Sequence, residues 1–123
     1  MAKNNFKDLE IWQEGKKLAV DIFRIWEELD SRGHFGLRDQ MQRAAVSIPS
    51  NIAEGSERKS AIEFIRYLYI SKSSAAELRT QLYIFKELIV AKNIDVDGLV
   101  ERTDMISRKI QRLISVISSG RSN

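Results

Sequence analysis

The sequence predicts an all-α chain, folded as one antiparallel up-down four-helix bundle with a proline-kinked second helix. Three observations lead there. Apolar residues recur at three- and four-residue intervals through four long segments, which is the period of an α-helix. One proline and six glycines in 123 residues leave room for only a few turns. No segment shows the alternating pattern of a half-buried strand. Amphipathic helices joined by short connections bury their stripes most simply by packing side by side. The helices are expected at about 8–31, 37–54, 60–91 and 96–118, with a frayed tail at 119–123, all in a single domain spanning 1–123.

The first helix carries two stripes. Ile11, Gly15, Leu18, Ile22, Ile25 and Leu29 form one, and Trp12, Ala19, Phe23 and Trp26 the other. Together they cover roughly 160° of the helix, more than a single core requires, so burial on two sides is expected. Asp8 is placed to cap the first turn, and Ser31, Arg32 and Gly33 to end the helix before Gly36.

The second helix turns Leu37, Met41, Ala44, Ile48 and Ile52 inward around Pro49. A proline in a helix interior removes a backbone donor and clashes with the carbonyl four residues back, here that of Ala45, at a cost of ~3 kcal/mol or more. Either the helix kinks, with Ser47 and Ser50 bonding freed carbonyls, or it breaks and Ser47 caps a new helix with Pro49 near its start. The kink is the reading adopted. Asn51 falls near the inward stripe, where an asparagine fixes register or caps broken backbone.

The third helix opens with Ser60-Ala61-Ile62-Glu63, the spacing of a capping box. Its inward stripe is Phe64, Leu68, Ser71, Ala75, Leu78, Leu82, Phe85 and Ile89, with small residues at the centre that permit a close helix–helix approach. Ile62, Tyr69, Ala76, Tyr83 and Val90 repeat every seven residues elsewhere on its surface, so this helix also carries surplus apolar area. The fourth helix begins near Asp95 or Asp97 and turns Val96, Leu99, Thr103, Ile106, Ile110, Leu113 and Ile117 inward, widened by Val100 and Ile114.

Composition limits the function classes. With 43% hydrophobic and 30% charged residues the chain is too apolar for disorder and too charged for a membrane protein. No uninterrupted apolar run exceeds four residues, and the opening MAKNNFKDLE lacks the apolar stretch of a signal peptide. The absence of cysteine excludes disulfides and thiolate chemistry and fits a cytoplasmic location. His34 is the single histidine and reads as a turn residue, so no metal site is expected. No phosphate loop, nucleophile elbow or HExxH pattern occurs, and neither an enzyme nor a cofactor is expected.

Charge is unevenly placed. From Asp8 to Asp30 seven acids face three bases, net −4, whereas Arg102 to the C-terminus is net +4. Such a dipole suits self-assembly or contact with a polyanion through the basic end, or simply two solvated faces. Two ladders share a spacing of seven, Glu14, Asp21 and Glu28 on the first helix and Lys72, Arg79 and Lys86 on the third. Because those helices lie diagonally in a bundle, the ladders are expected to meet between subunits.

Several stretches resemble a known family. The opening Phe6-Lys7-Asp8-Leu9-Glu10-Ile11-Trp12-Gln13, then Gly36-Leu37, Gln40, the run Arg43-Ala44-Ala45-Val46-Ser47-Ile48-Pro49-Ser50-Asn51-Ile52-Ala53-Glu54-Gly55, Arg58, Glu63-Phe64, and Ala76-Glu77-Leu78 through Gln81-Leu82 are similar to the four-helix bundle proteins encoded in intervening sequences of bacterial 23S rRNA genes. The chain departs from that pattern at Ser73, where the family usually has glycine, and at Arg79, where it usually has an acid. The resemblance implies a homo-oligomer, a pentameric ring of bundles, without established enzymatic activity. It also implies a distant similarity to accessory variability proteins of retroelements, basic rings that bind nucleic acid.

Three residue sets follow. Arg38, Arg43, Arg58, Lys59, Arg66 and Lys72 would face phosphate if the kink gathers them, joined by Arg108 and Arg112 on the basic fourth helix. The other reading pairs Arg43 and Arg58 with Glu54, Glu57 or Glu63 and pins the joint. Pro49, Asn51, Glu54 and Gly55 form a structural motif, and Trp12, Trp26, Tyr69, Arg79 and Tyr83 are assigned to an interface between copies. The expected partners are further copies of the chain and RNA or DNA, with no membrane; a protein-interaction scaffold without a nucleic-acid role is the alternative.

Overall fold

The computed structural model describes residues 5–29 and 33–120. A 3-10 turn, Phe6–Asp8, precedes four helices: α1 (Glu10–Glu27), α2 (Phe35–Ser56), α3 (Ala61–Leu88) and α4 (Val96–Ser118). No strand occurs among the described residues, and the fold is all-α, as the periodicity requires. Each helix packs on the one before and the one after it, and α1 touches α4 over a much smaller area than the other neighbours share. Cross-helix partners rise in number on one helix as they fall on the next: Glu14 meets Lys109 and Asp21 meets Arg102, while Arg79 meets Asp104 and Lys86 meets Asp97.

Helix ends follow local chemistry, with some differences from the sequence reading. The Asp8 carboxylate does not cap α1; Asp8 closes the 3-10 turn, and the α1 N-cap is Leu9, which offers no side-chain acceptor. Helix α1 ends at Glu27, short of the expected Ser31, which with Asp30 and Arg32 lies outside the described residues. Gly33 takes φ +88°, a backbone conformation glycine adopts without a Cβ penalty. Only half of the capping box forms: the Ser60 hydroxyl accepts from the Glu63 amide at 3.2 Å, but the Glu63 carboxylate turns instead to Arg66. Asp95 caps α4 by accepting from the Gly98 amide at 2.9 Å, and a Cβ on Gly98 would strike that carboxylate.

The core contains the predicted inward stripes of all four helices, with Leu18, Ile22, Met41, Ile48, Ile52, Leu68, Leu78, Leu82, Phe85, Ile106 and Ile110 essentially sealed from solvent. Trp26 packs edge-on against Phe85, ring centroids 5.3 Å apart. Helix α2 runs unbroken through Pro49, so the reading in which the segment splits in two is set aside. Ser47 does not bond a freed carbonyl; its hydroxyl lies 2.8 Å from that of Ser74 on α3 and accepts from the Asn51 amide at 2.8 Å. The Asn51 amide also donates to the Ser47 carbonyl, and the buried Ser71 hydroxyl donates to the carbonyl of Ile48 at 2.9 Å. The backbone next to the proline is thus held from α3 and from α2's own asparagine. On the opposite side Pro49 and Ile48 face Gly15 of α1, where a Cβ would stand 3.2 Å from the Ile48 side chain.

Between helices, the tightest approach at a glycine is that of α2 and α3 at Gly55. A Cβ there would lie 2.7 Å from the Cβ of Tyr67 and 3.3 Å from the Phe64 carbonyl. Backbone on both sides must move to admit a methyl group, and overpacking of this kind costs ~1–3 kcal/mol. Gly55→Ala is therefore expected to lower stability by about that amount, against the gain in helix propensity of about 1 kcal/mol that alanine brings elsewhere. Urea unfolding checks this: a midpoint equal to or above that of the parent protein contradicts the close approach.

Candidate interaction surfaces

The eight cations assigned to phosphate come from α2, the α2–α3 joint, α3 and α4, and two of them, Arg58 and Arg66, share the ring of Tyr67. Arg58 donates to Glu54 at 2.7 Å and to the Tyr67 hydroxyl at 2.9 Å, and its guanidinium sits 5.0 Å from the Tyr67 ring centre. Arg66 lies 4.8 Å from the same ring and donates to Glu63 at 3.0 Å. Both guanidinium groups are held further above their ordinary range, Arg58 by its hydrogen bond to Glu54 and Arg66 by that to Glu63. Arg58 thus pins the joint between α2 and α3, the structural alternative considered for it, whereas the partners of Arg66 lie on α3 itself. Arg108 pairs with Asp104 one turn away at 2.8 Å, and Arg38 lies 3.7 Å from Asp39 and over the Phe35 ring. Arg43, Lys59, Lys72 and Arg112 have no ion-pair partner among the described residues, and they are spread over α2, the α2–α3 joint, α3 and α4. Arg43 does not pair with Glu54, Glu57 or Glu63; it lines a groove between α1 and α2.

The structural motif residues are all engaged in seams. Pro49 meets α1, Asn51 bonds Ser47, Glu54 holds Arg58 and Gly55 receives Tyr67.

The seven-residue charge ladders have partners within the chain, and α4 supplies them. On its edge toward α1, Arg102 reaches Asp21 at 2.9 Å and Lys109 reaches Glu14 at 2.6 Å and Glu10 at 3.0 Å. On its edge toward α3, Asp104 lies 3.8 Å from Arg79 and Asp97 lies 2.7 Å from Lys86. Burial pushes the Asp21 carboxyl up, but the hydrogen bonds and charges of Arg102 and Lys17 outweigh it and hold the group below its usual range. Glu10 is lowered chiefly by its hydrogen bond from Lys109, which is raised in turn by Glu14 and Glu10. Four of the six rungs close onto α4, whose own charges also recur at sevens, in place of the contact between subunits expected for them, while Glu28 and Lys72 have no ion-pair partner among the described residues.

The residues assigned to an interface between copies divide. Trp26 is 4% exposed and belongs to the core, so it is removed from that set. It turned inward because Phe85 offers it an edge-on partner. Arg79 is half-buried beside Asp104, and Trp12 is half-buried against Phe6 with the Lys16 ammonium 5.5 Å from its ring centre. Tyr69 and Tyr83 stand exposed on α3, in line with Ile62 at 78% and Val90 at 87% exposure. The α1 stripe also splits, with Phe23 40% exposed although Ala19 beside it is buried. Sequence reasoning missed Val20 and Val46, which share the α1–α2 groove with Phe23, and Ile70 and Ile84, which stand out on α3 beside the tyrosines. The spacing of Ile70, Glu77 and Ile84, again seven, was the available signal.

A family model of the 23S rRNA-intervening sequence protein matches residues 7–112, most of the chain. The chain belongs to the 23S rRNA-intervening sequence protein family. Among solved structures, this family member is similar to a protein with unknown function from the S23 ribosomal protein family of Bacteroides thetaiotaomicron, with a TM-score of 0.76 at 20% identity, covering 85% of this chain and 97% of the other. At that identity the likeness extends to the fold. No curated protein matches the chain. The 23S rRNA-intervening sequence protein described here has no helix long and apolar enough to cross a membrane among its described residues.

The ion pairs between α4 and α1 give a pH prediction with a definite sign. Glu10 and Asp21 have lowered carboxyl pKa values in the folded protein, so their contribution is complete above the ordinary values of 4.5 and 3.8 and is lost as pH falls through the lowered ones. Each exposed pair contributes ~0–1 kcal/mol. Asp21→Asn is expected to reduce stability by at most about 1 kcal/mol at pH 7 and by progressively less as the pH approaches 3. A double-mutant cycle of Asp21 with Arg102 should show coupling, and one with Arg79 should show none in the monomeric chain. Thermal unfolding of the six proteins of the two cycles measures this, and coupling to Arg79 in place of Arg102 contradicts the assignment.

Proposed function

We propose that this 23S rRNA-intervening sequence protein works by assembly rather than catalysis, as a homo-oligomeric ring of bundles. The observation that carries the reading is the apolar area left outside the core on two different faces. One face is the groove bearing Val20, Phe23 and Val46, and the other is the outer surface of α3 bearing Ile62, Tyr69, Ile70, Tyr83 and Ile84, with Val90 just beyond its end. Scattered exposed apolar residues are ordinary, but contiguous apolar surface marks an interface. Covering a single Phe, Leu or Ile side chain is worth ~1.5–3 kcal/mol, against ~0–1 kcal/mol for an exposed ion pair. Apolar burial is therefore the driving force, and the charges set direction. Two unlike faces on one subunit favour head-to-tail contacts, which close into a ring when the rotation between subunits permits. The family resemblance makes a pentamer the expected ring.

Sedimentation velocity tests this. The expected result is a single species at a whole multiple of 14.2 kDa, five for the pentamer, persisting in high salt. A monodisperse monomer across the accessible concentration range contradicts it.

A second reading, binding of RNA or DNA, is favoured by the four cations that lack an ion-pair partner, Arg43, Lys59, Lys72 and Arg112, and by the family's link to 23S rRNA intervening sequences. A ring repeats these four around its axis, so cations dispersed on one subunit become a charged surface on the assembly. Binding of an intervening-sequence RNA should weaken steeply with salt as counterions are released. Absence of binding at low salt removes this reading and leaves the assembly as a protein scaffold.

A further inference from the structure

Resting on the assembly reading above, the geometry points to a specific contact: the outer face of α3 in one copy docks into the α1–α2 groove of a second copy. Shape and charge both support this occupant. The groove is a shallow cleft of about 290 Å³ floored by Ala19 and Pro49 and walled by Val20, Phe23 and Val46. A single helix ridge is the element that fits a cleft between two helices. The outer face of α3 presents such a ridge, with Ile70, Tyr83 and Ile84 exposed along it.

The rims are complementary in sign. Arg24 and Arg43 stand at the groove without an ion-pair partner among the described residues, and Lys16 has only the Trp12 ring. Glu27 and Asp39 also border the groove, and Asp39 is taken up by Arg38 at 3.7 Å. On α3, Glu77 and Glu87 are exposed and have no ion-pair partner among the described residues, whereas the other charged groups of its C-terminal half, Arg79 and Lys86, are spent on α4. Bases without an ion-pair partner thus outnumber such acids around the apolar cleft, Lys16, Arg24 and Arg43 against Glu27, and such acids outnumber bases along the ridge, Glu77 and Glu87 against Lys72. Opposite charges on the rims of two apolar surfaces guide association and fix register. Because the cleft and the ridge are different surfaces of one chain, the contact is heterologous: every copy offers one of each.

Mixing two disabled proteins tests this directly. Phe23→Glu spoils the cleft and leaves the ridge; Tyr83→Glu spoils the ridge and leaves the cleft. Both positions are solvent-exposed, and helical circular dichroism verifies folding; Val46→Glu and Ile84→Glu provide a second pair should either variant lose helicity. Each variant alone is expected to sediment as a monomer. Their equimolar mixture should form a one-to-one dimer of about twice 14.2 kDa and go no further, since the dimer has no intact cleft facing an intact ridge left to join. A mixture that remains monomeric, or single variants that assemble like the parent chain, overturns the cleft-and-ridge contact while leaving the assembly reading intact. A parent protein that is itself monomeric overturns the assembly reading first.

Discussion

Between α2 and α3 there is no room for a side chain at Gly55, and the rest of the bundle is arranged around that approach. The two helices come together along small and polar residues: the hydroxyls of Ser47, Ser71 and Ser74 bond across the seam or to backbone beside Pro49, and Ala75 is buried next to them. A helix seated on its small side turns its bulky residues elsewhere. That orientation sends Leu68, Leu78, Leu82 and Phe85 into the core and leaves Tyr69, Ile70, Tyr83 and Ile84 facing out. The exposed ridge of α3 follows from the same packing that makes the α2–α3 seam close.

Helix α4 plays a different part. It contributes apolar residues to the core, and it also carries acids along one edge and bases along the other, so that α3 and α1 are each clipped to it by rungs seven residues apart. Helix α1 approaches α4 less closely than the other neighbouring helices approach one another, and ion pairs bridge that seam. These pairs contribute little energy individually, yet they set the register of α4 against both neighbours at once. Charges occupied in this way are unavailable to a partner, whereas Arg24, Arg43, Glu77 and Glu87 are among those left without an ion-pair partner within the described residues.

Much of this was legible in the residues themselves. The period of each stripe is a property of one segment, so four helices and nearly every core position could be read without neighbours. What depended on neighbours could not. Trp26 and Phe23 lie one turn apart on the same stripe, yet the first is buried edge-on against Phe85 and the second is 40% exposed. The ladders on α1 and α3 were visible by their spacing, but their partners lay on α4, where the matching charges are interleaved with an apolar stripe. Arg58 could be foreseen either as a joint pin or as a phosphate ligand, and the ring of Tyr67, nine residues away, settled it as a pin. Glu63 could serve either Ser60 or Arg66, and the arginine took it.

The account rests on apolar surface that one bundle exposes and another covers. Hydroxyl-radical footprinting as a function of protein concentration addresses that surface residue by residue. Phe23 in the cleft and Tyr69 and Tyr83 on the ridge should lose reactivity together as concentration rises, while Phe35, exposed at the start of α2 and on neither surface, stays constant. Reactivity at the first three that does not change with concentration, and matches that of a variant held monomeric, would contradict the account.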